Sequence, residues 1–256
     1  MYFRANTRIC FLLLLLSWSS AGNGQDRLKP PQKKSLTYGF VSPNTREGLK
    51  LEDAIGGLRS AEEETLIRQA QRMACVAQSK ITALKAIGSW SDGAEHSVLL
   101  RAQTDESTIR YLVSVLGRRA QQKAALFFHA NSTGEAEIYT LRPQKRSMTL
   151  SALARLLDKS GIEFRTLVPT KATVLVYVVD LKRELRAKIM TAAKTLKAHV
   201  TSRRGSAEFI GDDSSREKAR DIFDAETKDY ESKHSALLNK CRVRSSSNKI
   251  QNSNSR

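Results

Sequence analysis

The heptapeptide TVLVYVV, Thr173–Val179, decides the fold because every position after the first is apolar. A continuous run of β-branched and aromatic residues indicates a strand covered on both faces, whereas alternation indicates one wet face. Asp180 follows as a helix N-cap. Leu185, Ile189 and Ala192 then recur at helical spacing. The sequence therefore predicts a central strand followed by an amphipathic helix.

Two segments of the chain share one order of predicted elements, although their residues differ. Ser97–Leu141 and Thr173–Ile210 both have the pattern strand, helix, strand, turn, strand. In the second segment the last two strands are short, at His199–Ser202 and Ala207–Ile210, around an Arg-Arg-Gly turn. We expect an α/β (α+β) fold of two pattern-related β-α-β-β units. Such units are ferredoxin-like split α/β units, which share a sheet or pack side by side.

Capping signals place further helices around these units. Ser60 and Glu63 form a capping box, and the apolar stripe behind them predicts a long N-terminal helix to about Ile87. Ser214 and Glu217 form a second capping box for a C-terminal helix. The other predicted elements are strands at Lys123–His129 and Ile162–Val168, a helix capped by Thr104 or Asp105, and a helix at Thr149–Lys159.

The ends of the chain differ in composition from its centre. Residues 1–21 have Arg4 and Arg8, an apolar core, and small residues before Gly22, which is the build of a cleaved signal peptide. Its core is shorter than a membrane span, so an uncleaved anchor is the weaker reading. Residues 22–48 are predicted as a flexible linker with a docking strand at Tyr38–Val41. Residues 49–238 form the globular region, with possible subunits 49–160 and 161–238, and 239–256 is a disordered basic tail.

The net charge of +17 points to polyanionic partners. Without the two leader arginines, +17 falls to +15 for the mature chain. A secreted or periplasmic protein with this charge is predicted to bind an anionic glycan, lipopolysaccharide or nucleic acid, besides an unidentified protein partner. A solvated basic surface without a ligand is the alternative. The predicted polyanion-binding residues form a basic edge at matching ends of the two units: Arg118, Arg119, Lys182, Arg183, Arg203 and Arg204.

Two cysteines remain after removal of the leader. Cys75 and Cys241 are far apart in sequence, which is unlike the spacing of a zinc site. An oxidising compartment favours a disulfide between them. The alternative is two unrelated thiols.

Catalytic motifs are weak, so the chain is expected to act as a binding module without cofactor or metal. The rival is a small secreted hydrolase using Ser91, Asp92 and His96 in the 89–96 loop, although adjacent loop residues rarely converge on one point. A second rival is a nucleic-acid binder of the RNA-recognition type, because Val176–Leu181 and Arg204–Ile210 resemble its two motifs. Ser206 and Glu208 occupy the positions that should stack on bases. Asn131 begins a sequon whose use depends on the source.

Overall fold

The computed structural model describes residues 35–43, 61–90, 93–129, 136–143, 155, 159, 166–169, 174–179, 183–195, 197–212 and 214–242. These residues form a mixed α/β fold with an antiparallel sheet. The strands are β1 Ser35–Val41, β2 Thr82–Trp90, β3 Gly93–Thr104, β4 Ala124–His129, β5 Ala136–Pro143, β6 Thr166–Pro169, β7 Val174–Val179 and β8 Ala198–Gly211. The helices are α1 Ala61–Arg72, α2 Ala74–Ala77, α3 Glu106–Arg119, α4 Arg183–Thr195, α5 Arg216–Lys233 and the C-terminal helix, residues 235–242.

The strands pair antiparallel in the order β1-β3-β2-β6-β7-β5-β8-β4, and β4 pairs with β1 to close a barrel. The first four strands are ordered β4-β1-β3-β2, and the last four repeat this arrangement as β8-β5-β7-β6. In each half, the first strand of the half lies between two parallel strands that are connected by a helix. Strand β1 lies between β3 and β4, which α3 connects. Strand β5 lies between β7 and β8, which α4 connects.

The two faces of the sheet carry separate cores. The inner cluster fills the barrel with alternate residues of its strands: Leu36, Tyr38, Phe40, Leu84, Ala86, Leu99, Leu126, Phe128, Ile138 and Ala207. The outer cluster joins the opposite face to the helices. It includes Val98, Leu100 and Phe127 from strands, and Ile67, Leu112 and Phe223 from α1, α3 and α5. This two-sided burial explains why β4 and β7 are apolar at nearly every position.

Several sequence predictions are confirmed. Strand β7 lies inside the sheet between β5 and β6, as its continuous apolar run predicts. Asp105 caps α3, where its side chain accepts a hydrogen bond from Thr108 N at 2.8 Å. The strands at Lys123–His129 and at Ala136 onward are present as β4 and β5. The helix after Asp180 is present as α4.

The long N-terminal helix is wrong beyond its first turns. Helix α1 ends at Arg72, and α2 ends at Gln78, whose φ of 50° is left-handed. Residues 82–90 then form β2. Both faces of β2 are covered, with Ala83 outward and Leu84 inward, so its apolar residues also fit a helical period. Periodicity alone does not separate the two structures in such a segment.

The predicted pair of short strands after α4 is instead the single strand β8. Gly205, which the sequence predicts as a turn residue, lies inside this strand. The position requires glycine because a Cβ there would come within 2.3 Å of the Phe128 ring. The second predicted unit therefore has one strand fewer than the first. The N-cap of the C-terminal helix predicted at Ser214 is instead Ser215, one position later. The Ser215 side chain caps α5 by accepting a hydrogen bond from Lys218 N.

Strand β1 includes the docking strand predicted at Tyr38–Val41 within residues 22–48. Strand β5 pairs with β7 and with β8. The leader, the rest of the linker, residues 243–256 and the sequon lie outside the described residues. Of the helix predicted at 149–159, Arg155 and Lys159 are described, and both are helical. None of the described helices is long and apolar enough to cross a membrane.

Candidate polyanion-binding surface

Exposed cations lie on α4 and on the strand β8 against which it packs. We call this region the α4–β8 surface and define it by five exposed cations: Arg186, Lys188, Lys194, Lys197 and Arg204. Helix α4 is held on the sheet by Ile189, Ala192 and Ala193, which are buried. The other helix positions whose burial is described, residues 186–188, 190, 191, 194 and 195, are exposed. Arg186 and Lys194, two turns apart, are separated by about 12 Å along the helix.

Among the described residues, none of the five cations of this surface forms an ion pair with an acidic side chain. By contrast, Arg110 of α3 pairs with Glu208 and Glu226. Repulsion between unpaired cations is tolerated in water but favours the approach of an anion.

Buried polar groups lie beneath the basic surface. Glu137 of β5 is completely buried and accepts a hydrogen bond from the Tyr139 hydroxyl at 3.0 Å. Burial and the bond to Glu137 raise the pKa of Tyr139, which Arg186 and Arg204 partly oppose. Helix α4 packs against β8, so Arg186 and Arg204 lie on neighbouring elements.

The six residues predicted from the sequence do not form one edge. Arg118 and Arg119 end α3, and Gly211 of β8 pairs with Ala124 just beyond them. Arg204 lies seven residues back along β8, about 23 Å away at the usual rise of a strand. Arg118 also forms an ion pair with Asp224 at 2.7 Å. The α3 arginines line a separate cleft with Arg216 and Arg220.

The second predicted pair is divided between the two faces of β8. Arg204 is opposite Glu137 in the register and faces outward, whereas Arg203 is opposite Ile138 of the inner cluster. Arg203 Nη1 donates to the Leu36 carbonyl at 3.4 Å. Lys182 and the side chain of Arg183 lie outside the described residues. The predicted set does not include the cations within α4, although their helical spacing around Ile189 is a usable signal.

The residues of the hydrolase alternative are only partly described. Ser91 and Asp92 connect β2 to β3 and are outside the described residues. His96 is on β3, facing α1, and its Nδ1 lies 3.5 Å from Glu63 Oε1. Burial lowers the pKa of His96, although Glu63 opposes this shift. Glu63, predicted as a capping residue, is completely buried in this position.

A second polar group lies inside one end of the barrel. Ser42 Oγ donates to Glu95 Oε1 at 2.7 Å and lies 2.9 Å from Ser97 Oγ. Gly88 leaves room for these side chains, because a Cβ there would be 2.9 Å from Ser97 Oγ. This network satisfies the only inward-facing carboxylate of β3, so it has a structural explanation.

Cys75 and Cys241 form a disulfide, with their Cα atoms 5.7 Å apart. The bond joins α2 to the C-terminal helix. It confirms the pairing predicted from the sequence and is typical of an oxidising compartment.

The strands of the RNA-recognition alternative are not neighbours. Strand β5 lies between β7 and β8, so the two resembling segments are separated by a strand. Across the described ranges, no group of three His, Cys, Asp or Glu residues could hold a metal ion. A search of protein-family models gave no match, and no curated protein matched the chain either.

Proposed function

We propose that this protein is an exported, non-catalytic binding module that attaches to an acidic glycan through the α4–β8 surface. The observation that carries the proposal is the set of five exposed cations on α4 and β8, none of which pairs with an acid in the described part of the chain. Cations spaced along the length of a helix fit a linear polymer with repeated anionic groups.

The chemistry of the surface favours a glycan over single-stranded nucleic acid. Proteins that bind single strands combine cations with aromatic side chains on which bases stack. The segment 186–204 has six Lys and Arg residues and no Phe, Tyr or Trp. Sulfate and carboxylate groups on a glycan need the cations alone.

The export part of the proposal rests on two independent features. The first 21 residues have the composition of a signal peptide. The Cys75–Cys241 disulfide is of the kind that persists outside the cytosol. A secreted or periplasmic location would bring the basic surface into contact with cell-surface polymers.

The strand order supports a duplicated fold as the scaffold for this surface. A β-α-β-β-α-β chain with the order β4-β1-β3-β2 has the ferredoxin-like arrangement, and the last four strands repeat that order. We infer two ferredoxin-like units that close a barrel through the pairs β2–β6 and β4–β8. The unit boundary then lies between β4 and β5.

Retention on immobilised heparin tests the proposal. The test variant carries Lys188→Gln, Lys194→Gln, Lys197→Gln and Arg204→Gln. A matched control removes four exposed cations elsewhere: Lys123, Lys218, Lys228 and Lys240. Both variants lose four charges, so any difference between them reports the location of the cations rather than the net charge.

We expect the test variant to elute at markedly lower salt than the wild type, with the control close to the wild type. Equal elution of the two variants would contradict a localised surface. Tighter binding to duplex DNA than to heparin would overturn the choice of a glycan.

A further inference from the structure

The barrel has opposite polarity at its two ends. On the inward face of β3, Glu95 lies at one end with Ser42, and Arg101 lies six residues further along. That separation is about 20 Å at the rise of a strand. Arg203 of β8 also faces inward, since it pairs with Ile138 of the inner cluster. The end with the two arginines is called the basic mouth.

Tyr38 lies between these two arginines. Its register partner on β3 is Arg101, so the two side chains project from the same face of neighbouring strands. Arg203 reaches β1 from the other side, where it donates to the Leu36 carbonyl two residues before Tyr38. Both guanidinium groups act on the Tyr38 hydroxyl and oppose the rise in its pKa that burial causes.

Tyr38 is 7% exposed, and its ring packs edge-on against Phe128 with centroids 6.3 Å apart. Its hydroxyl has no hydrogen-bond partner among the described residues. Arg101 likewise forms no ion pair in those ranges, and the described inward positions of β1, β3, β4 and β8 at this end include no Asp or Glu. A buried phenol with no hydrogen-bond partner among the described residues therefore lies near two cations.

We propose that the basic mouth binds a single tetrahedral oxyanion, either free phosphate or sulfate or the terminal ester group of a larger ligand. The guanidinium forks of Arg101 and Arg203 match the oxygens of such a group, and the Tyr38 hydroxyl donates to a third. The rings of Tyr38 and Phe128 form the apolar bottom of the site, so only the anionic group of the ligand enters it. The site is separate from the α4–β8 surface and does not rest on the proposed function.

Isothermal titration with inorganic phosphate and with inorganic sulfate, at constant ionic strength in chloride, tests this site. The variants are Arg203→Gln and Tyr38→Phe, and the control is Lys123→Gln, which removes an exposed cation just before β4 and outside both proposed sites. We expect Arg203→Gln to weaken binding by about tenfold or more, as for a charge-assisted hydrogen bond. Tyr38→Phe, which keeps the ring, should weaken it roughly three- to tenfold. Lys123→Gln should bind as the wild type does.

A thermal unfolding scan with and without phosphate provides a second readout, because an anion that binds the folded state raises its Tm. The Tm without phosphate identifies any variant that is simply misfolded. Absence of binding by the wild type, or equal weakening by Arg203→Gln and Lys123→Gln, would overturn the site. Titration with a monosaccharide sulfate distinguishes the sources, since an ester-specific mouth binds it more tightly than free sulfate. Heparin retention by the α4–β8 surface is measured separately, so either proposal can fail alone.

Discussion

Cys75 of α2 and Cys241 of the C-terminal helix are bonded to one another although 166 residues separate them in the sequence. Cross-linking so long a loop removes conformational freedom from the unfolded chain. In the chain-entropy model this stabilises the fold by about 5 kcal/mol, with about 2–5 kcal/mol typical of measured bonds. We predict that Cys75→Ser/Cys241→Ser lowers the free energy of unfolding by about 2–5 kcal/mol in urea.

The reduced wild type is the natural control for this variant. It should unfold at the same urea concentration as the double serine variant, and the oxidised wild type at a higher one. A thiol assay on the oxidised, unfolded mature chain should detect no free thiol. A stoichiometric thiol signal would contradict the bond.

Arg110 connects three elements of the outer layer. Its Nε and Nη2 donate to the two carboxylate oxygens of Glu226 on α5 at 2.6 and 2.7 Å, and its Nη1 contacts Glu208 on β8. The guanidinium also lies over the Phe127 ring. Because the group is half-buried and held by two partners, we expect Arg110→Ala to lower the free energy of unfolding by about 1–2 kcal/mol.

Arg118→Ala is the matched control, because Arg118 forms a single ion pair, with Asp224, and this pair lies at the surface. Such surface pairs contribute less than about 1 kcal/mol. Chemical denaturation of both variants tests the difference. Equal losses of stability in the two variants would show that the second carboxylate partner of Arg110 adds nothing to the free energy of unfolding.

Gly205 is expected to resist substitution. A Cβ at this position would lie 2.2 Å from the His129 carbonyl oxygen, which is backbone and cannot rotate away. We predict that Gly205→Ala destabilises the protein by about 1–3 kcal/mol, the usual cost of overpacking. Ser206→Ala on the same strand should change the free energy of unfolding far less. A thermal melt that is unchanged in Gly205→Ala would contradict the close approach of β4 and β8.

The half-buried His96 should make stability depend on pH. Burial is the largest cause of its lowered pKa, and Lys85 adds to it, while Glu63 acts in the opposite direction. The unfolded chain therefore binds a proton near pH 6.5 that the folded chain resists. The contribution of His96 is complete above pH 6.5 and is lost as the pH falls towards the folded pKa.

Urea unfolding of the wild type and His96→Gln at pH 7.5, 6.5, 5.5 and 5.0 measures this contribution as the difference between the two. We expect the wild type to lose more stability than His96→Gln below pH 6.5. Glu63→Gln should extend the loss to lower pH, because it removes the neighbour that raises the His96 pKa. If the free energy of unfolding depends on pH in the same way in all three proteins, His96 does not contribute as described.

The sequence predicts those elements whose local signals agree with their tertiary surroundings. Asp105 followed by an apolar face gives α3 correctly, and the uniform apolar run gives β7 as an inner strand. Cys75 and Cys241 were paired because they are the two cysteines left in an oxidising context. In each of these cases the local sequence pattern is compatible with only one of the structures considered.

The failures come from contacts between distant strands. Gly205 is a turn signal in the sequence, but the Phe128 ring requires a glycine in the middle of β8. Residues 82–90 satisfy a helical period because both faces of β2 are covered. Arg203 and Arg204 are adjacent in sequence, yet the alternation of a strand sends them to opposite faces of the sheet. The basic mouth needs Tyr38, Arg101 and Arg203 from three strands, and no local pattern relates these positions.

The α4–β8 surface is tested most directly by the salt dependence of heparin-oligosaccharide binding, measured by fluorescence titration between 50 and about 300 mM salt. Each cation that neutralises an anionic group of a polyelectrolyte adds roughly 0.7–0.9 to the slope of log K against log salt. Replacing Lys188, Lys194, Lys197 and Arg204 with Gln should therefore lower the slope by about 2–4. The control that replaces Lys123, Lys218, Lys228 and Lys240 should keep the wild-type slope. Identical slopes for all three proteins would contradict the proposed binding surface.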